Sequence, residues 1–217
     1  MKRREFAAQL LVATAGTAAL TQATFSQAQG TPVEGKQYVR LSQPLPSAAG
    51  GKIEVVEFFW YGCPHCNDFE PMLDAWAKKV PADVLFRRVP VAFRDEPFGS
   101  HQRIFYALEA MGQVEAMHRK VFYAIHNDRA RLDKPADISA FMAKNGLDGA
   151  KFLDLFNSFS VQTKARQAKQ LSESYKIDGV PALGIQGRFY TSGSLAGSND
   201  QALAVTEFLV QQIRKSG

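Results

Sequence analysis

The stretch Lys52–Cys66, KIEVVEFFWYGCPHC, decides the fold. Its first nine residues, Lys52–Trp60, are β-branched or aromatic almost throughout and apolar on both faces. That is the signature of a central strand covered by helices on each side. Helical spacing takes over at Pro64, with Phe69, Leu73, Trp76 and Val80 on one side and Pro81 as the stop. A second strand pattern covers Val84–Phe93. Strand, helix and strand within about 40 residues make a βαβ unit, and so a parallel pair.

Outward from this unit the pattern turns helical, with segments expected near 98–111, 114–127, 136–144, 149–156 and 159–175, punctuated by Gly112, Pro135, Gly146 and Asp148. Strand character returns at Pro181–Ile185 and Arg188–Thr191 around a Gln186-Gly187 turn, and an amphipathic helix near Asp200–Lys215 closes the chain. Upstream, residues 29–50 are rich in Gly, Pro, Ser and Gln, with one short strand near Lys36–Leu41. The expected class is α/β: a βαβ half and a ββα half with helices inserted between them.

The chain has 217 residues, 46% of them hydrophobic and 22% charged, which excludes a disordered chain, a collagen-like fibre and a coiled coil. Two cysteines cannot staple a disulfide-rich scaffold. Lys2, Arg3, Arg4 and Glu5 contribute +2 of the formal charge of +5, leaving +3 scattered over the remainder. No run of like charge or nucleic-acid motif accompanies it, so nucleic acid is not an expected partner.

Residues 1–28 read as an export signal: a basic start, a largely apolar stretch from Phe6 to Leu20, and small residues at Ser26 and Ala28. Gln9, Thr14, Thr17 and Thr21 interrupt any run long enough to span a bilayer. Arg3-Arg4-Glu5-Phe6 also fits the twin-arginine pattern. Export places the two cysteines in an oxidising periplasm, where a disulfide persists at rest.

Cys63-Pro64-His65-Cys66 sits where the strand becomes the helix. Proline is favoured at the first helical position and pushes the preceding residue out of helical geometry, which makes Cys63 the N-cap. As a thiolate there it would receive the free amides of His65 and Cys66 and the positive end of the helix dipole. Cys66 follows one turn later and is more enclosed, so Cys63 is expected to attack and Cys66 to resolve. The dipole supplies about 0.3–1 kcal/mol, and up to about 2 in good geometry, so alone it lowers the thiol by roughly one pKa unit. His65, between the sulfurs, is the candidate for further stabilisation. A stabilised thiolate makes the disulfide a better oxidant. A structural disulfide would close too short a loop to matter. A metal half-site, with copper handling as the relevant chemistry, is the rival from a different class, but no second C-x-x-C is present.

Glu57 is a carboxylate in the middle of an apolar strand. It reads either as a buried group relaying protons to the thiols or as an edge-facing or paired glutamate, with Arg88 as a partner on the next strand. Val180-Pro181, after Asp178-Gly179, fits a turn ahead of a strand. His101, His118, His126, Met111 and Met117 are taken as core or surface.

Val56-Glu57-Phe58-Phe59, Cys63-Pro64-His65-Cys66 with Phe69-Glu70, and Gly179-Val180-Pro181-Ala182 together resemble the DsbA family of periplasmic thiol–disulfide oxidoreductases, over nearly the whole chain after residue 28. The resemblance implies a thioredoxin-like fold with an inserted helical domain: 29–95 and 177–217 for the thioredoxin-like parts, 96–176 for the insertion. It implies a Cys63–Cys66 disulfide passed to exported proteins bearing thiols, no further cofactor, a quinone-coupled membrane oxidase for reoxidation, and a monomer. The site residues it implies are Cys63, Pro64, His65 and Cys66, with a cis Pro181 facing the disulfide, Val180 offering its backbone to an extended substrate, and Glu57 buried near Cys66. A reductase or isomerase with the same site is the near alternative. Three departures from the family stand out. Arg88 replaces a lysine, Pro71 falls inside the redox helix and is expected to kink it, and Leu183-Gly184-Ile185 shortens a large apolar side chain beside the substrate edge.

Overall fold

In the computed structural model, which describes residues 30–47 and 49–216, β2 (Ile53–Phe59) is buried at every position. The export-signal reading of residues 1–28 lies outside the described residues. β2 is an interior strand, between β4 and β3, in a five-stranded sheet of order β1-β5-β4-β2-β3, with β1 at Val39–Arg40, β3 at Val84–Pro90, β4 at Ala182–Ile185 and β5 at Phe189–Ser192. β2 and β3 are parallel, as the βαβ reading requires, and the connection between them is α1 (Pro64–Ala77). β4 runs antiparallel to β2 and forms a hairpin with β5. Gln186 (φ 52°) and Gly187 (φ 62°) are both left-handed, the combination of a two-residue type I′ turn.

Five helices separate β3 from β4: α2 (Phe98–Ala110), α3 (Val114–His126), α4 (Pro135–Lys144), α5 (Gly149–Phe156) and α6 (Phe159–Ser174). α7 (Gly193–Ala196) is a single turn capped by Ser192, and α8 (Asn199–Ser216) closes the chain. α1 ends at Ala77, short of Val80, in keeping with the bias of a proline against helical geometry in the residue before it. β3 stops at Pro90 rather than Phe93, because its partner β2 ends at Phe59, whose carbonyl takes the last ladder bond from the amide of Val91. α7 was not legible in the sequence.

The alternation of β2 divides the core. Val55 packs with Leu183, Ile185, Phe69 and Leu73 of α1, and Leu203 and Leu209 of α8. Val56 and Phe58 belong to the larger cluster built with α2, α3, α5 and α6. α1 continues through Pro71. Proline cannot donate to the carbonyl four residues back, that of Asn67, and Arg119 of α3 donates to it instead (Nη1, 3.1 Å). The missing helix bond is thereby replaced by a tie to α3.

Candidate active site at the start of the redox helix

Cys63 is the N-cap of α1, with extended backbone (φ −86°, ψ 117°) and Pro64 at the first helical position. Burial differs between the two thiols: Cys63 keeps 8% exposure and Cys66 none. The protonated Cys63 donates to the carbonyl of Val180 (3.4 Å) and makes no side-chain cap bond. As a thiolate it is well supported, and its pKa falls to about 6. The largest cause is a hydrogen bond from the Cys66 thiol; burial opposes it, and the amides of Cys66 and His65 and the charge of His65 assist. His65 is thus the weakest of these contributors, because its ring is exposed and its charge is screened by solvent. Burial pushes the Cys66 thiol strongly up, and the neighbouring Cys63 and Glu57 add to the rise. One thiol can ionise near neutrality while its neighbour keeps its proton.

The β2–β4 register, Phe58 against Ala182, brings the start of β4 to the end of β2 where the cysteines lie. Val180-Pro181, just before β4, is a cis peptide. Beside it opens a groove of about 570 Å³, bounded by His65, Asp178, Val180, Pro181, Tyr190 and Ser194. Gly184 does not border this groove. A Cβ there would stand 2.6 Å from the ring of Tyr175 and 3.0 Å from Phe58. The absent side chain makes room for Tyr175 in the core, so the expected shortening of the substrate edge at this position is corrected.

Behind the cysteines lies a cluster of charges. Cys66, Glu70 and Asp74 recur every fourth residue and share one side of α1. Glu57 and Arg88 face each other in the β2–β3 register, with Arg88 Nε 3.1 Å from Glu57 Oε2. Glu57 is therefore buried and paired at once, which joins two readings the sequence left apart. The pair is ionic without being a hydrogen bond. The guanidinium is aligned on Glu70 (Nη2–Oε2 2.8 Å, Nε–Oε1 3.4 Å) and on Asp74, and neither oxygen of Glu57 has a hydrogen-bond partner. Burial, with the charge of Glu70 next, holds the Glu57 carboxyl well above its ordinary range despite Arg88. Glu70 is also buried, but the hydrogen bond from His118, and the charge and hydrogen bonds of Arg88, outweigh that and bring it below its ordinary range.

His118, taken from the sequence as core or surface, reaches from α3 into this cluster. Its Nε2 lies 3.0 Å from Glu70 Oε1 and its Nδ1 lies 2.8 Å from Tyr61 Oη. The four-residue spacing of Cys66, Glu70 and Asp74 was a readable signal for part of this cluster; nothing local marked His118 or Tyr61. Among the described residues, no group of three His, Cys, Asp or Glu side chains is placed to hold a metal, and no helix is long and apolar enough to cross a membrane.

Comparison with known proteins gives the same assignment. The family model described as DSBA-like thioredoxin domain matches residues 54–205. The thiol:disulfide interchange protein DsbA of Burkholderia cepacia is 42% identical over 206 residues, 94% of this chain and 95% of that protein. The protein of that name from Bordetella parapertussis is 45% identical over 209 residues, 95% of this chain and 97% of that protein. The crystal structure of Pseudomonas aeruginosa DsbA superposes with a TM-score of 0.82 at 39% identity, covering 85% of this chain and 96% of that one. A dithiol split into an acidic and a proton-holding sulfur suits thiol–disulfide exchange, and on fold, sequence and site alike the chain belongs to the DsbA family of thiol:disulfide oxidoreductases.

Proposed function

We propose that this protein oxidises newly exported, unfolded or partly folded proteins in the periplasm, using the Cys63–Cys66 disulfide and no other cofactor. A substrate thiolate attacks Cys63 Sγ; the Cys63–Cys66 bond breaks and its electron pair goes to Cys66, which takes up a proton. The second substrate thiolate then attacks the substrate sulfur of the mixed disulfide. Cys63 leaves as a thiolate, the substrate is oxidised and the Cys63–Cys66 pair is reduced. Glu57 carries the proton to and from Cys66. Val180 offers its backbone to an extended substrate segment beside Pro181, in the manner of an added strand. Pro64 fixes Cys63 at the cap, and His65 adds to the stabilisation of its thiolate.

The supporting observation is the asymmetry of the pair: Cys63 with its pKa lowered to about 6, Cys66 with its pKa raised. A leaving thiolate stabilised in this way favours the reduced enzyme and makes its disulfide oxidising. Residues 1–28 direct export, with Arg3-Arg4 fitting the twin-arginine route. Residues 29–95 and 177–217 form the thioredoxin-like part, and 96–176 an inserted helical domain. The protein acts as a monomer and is reoxidised by a quinone-coupled membrane oxidase. Equilibration of the Cys63–Cys66 couple with glutathione tests the reading. A potential well above that of thioredoxin, which is about −270 mV, is expected; a value near thioredoxin's would make the protein a reductase.

A further inference from the structure

Three carboxyl groups, Glu57, Glu70 and Asp74, share one cation, Arg88. Only Asp74, about one-third exposed, has ready access to water. Charging both buried carboxyls against one guanidinium leaves an uncompensated buried charge, so one of them keeps its proton. What selects between them is hydrogen bonding. Glu70 receives Arg88 at both oxygens and His118 at Oε1, whereas Glu57 receives no aligned donor.

His118 is built for this selection. Glu70 as a carboxylate can only accept, so Nε2 carries the ring proton. Nδ1 is then the acceptor for Tyr61 Oη, which fixes that tautomer. Phe59, Phe105 and Phe122 all meet the imidazole edge-on, and its burial lowers the pKa, keeping the ring neutral. Besides Glu70 and Tyr61, the charges acting on it are Arg88 and Asp74. Around Glu57, α1 presents Cys66, Glu70 and Asp74, β3 presents Arg88, and β4 presents the apolar Leu183.

We propose that His118, supplied by the helical segment between β3 and β4, is a positioning residue for thiol–disulfide exchange: by donating to Glu70 it makes Glu70 the carboxylate that engages Arg88 and leaves Glu57 free to serve Cys66. The inference rests on the reading of Glu57 as the proton carrier of Cys66. Without the Nε2 donor, Glu70 loses its advantage and Arg88 can turn onto Glu57, which then gives up its proton at lower pH. The atoms that react are untouched by His118.

The test uses the mixed disulfide of Cys63 with glutathione, prepared on the full chain. Cys66 loses its proton, attacks Cys63 Sγ and expels glutathione, and the rate of this single step is followed as a function of pH. The wild-type profile is expected to show an inflection that Glu57→Gln removes. His118→Phe, which suits the aromatic surroundings but cannot donate, should move the inflection down by about one pH unit, a tenfold change in the proton equilibrium. His118→Gln, whose amide nitrogen reaches toward Glu70, should restore it. An inflection removed by Glu57→Gln but unmoved by His118→Phe overturns the role of His118 alone. An inflection indifferent to Glu57→Gln overturns both readings. Should His118→Phe fail to fold, Glu70→Gln takes its place: with Glu57 as the remaining buried carboxylate for Arg88, the same downward shift is expected, and an unmoved profile refutes the proposal.

Discussion

Arg88 stands 3.1 Å from Glu57 across the parallel strands β2 and β3, yet its hydrogen bonds go to Glu70 and Asp74 on α1. Proximity and alignment have separate consequences here. Proximity tempers the cost of burying Glu57; alignment decides that Glu70 is the stabilised anion.

Glu57→Gln should therefore stabilise the folded protein at neutral pH, by about 1–3 kcal/mol. The folded pKa of Glu57 is raised above its ordinary value of 4.5. Its contribution is fully present below that value and is lost as pH rises through the folded pKa. The advantage of the glutamine variant should accordingly grow with pH above about 4.5 and vanish below it. Glu70→Gln should show the reverse, a loss at neutral pH that fades on acidification, because the Glu70 pKa is lowered. Urea unfolding of the two variants at several pH values measures both slopes.

Titration of the Cys63 thiolate by its ultraviolet absorbance should give a midpoint near pH 6 in the reduced protein. Cys66→Ala removes the largest stabiliser and should raise the midpoint by about one unit, whereas Cys66→Ser keeps a donor and should raise it less. His65→Ala should make the Cys63–Cys66 couple more reducing by no more than about 30 mV, in keeping with a weak and exposed contributor. Since the folded pKa lies below the ordinary 9.0, this thiolate's stabilisation of the reduced fold is complete above pH 9 and disappears as pH falls through 6.

Pro71→Ala restores a backbone donor to the carbonyl of Asn67, which Arg119 now occupies. Arg119→Ala should cost about 0.5–1.5 kcal/mol in the wild type and close to nothing in the Pro71→Ala background. A double-mutant cycle in urea reads the difference as a coupling energy.

Gly184→Ala would force the ring of Tyr175 aside and should destabilise the fold by about 1–3 kcal/mol. Because Gly184 does not border the groove beside Pro181, the rate of disulfide transfer per folded molecule should stay at the wild-type value. A changed rate in correctly folded protein would return this position to the substrate edge.

By itself the sequence determined most of what neighbouring residues set, the single turn α7 excepted. β-branched and aromatic runs marked β2 and β3, Pro64 placed Cys63 at the helix cap, and the periodicity from Phe98 to Ser174 yielded five helices whose bounds the structure moves by at most one residue. These signals are local, because propensity, capping and proline sterics act within one or two turns of chain. The tertiary structure alone decided how the site is tuned. The sequence offered Arg88 as a partner for Glu57, but the packing of α1 on the sheet turned its guanidinium toward Glu70, and α3 delivered His118, 48 residues from its hydrogen-bond partner. Protonation in a buried cluster follows from the distance and alignment of groups far apart in the chain, and a linear pattern carries no record of either.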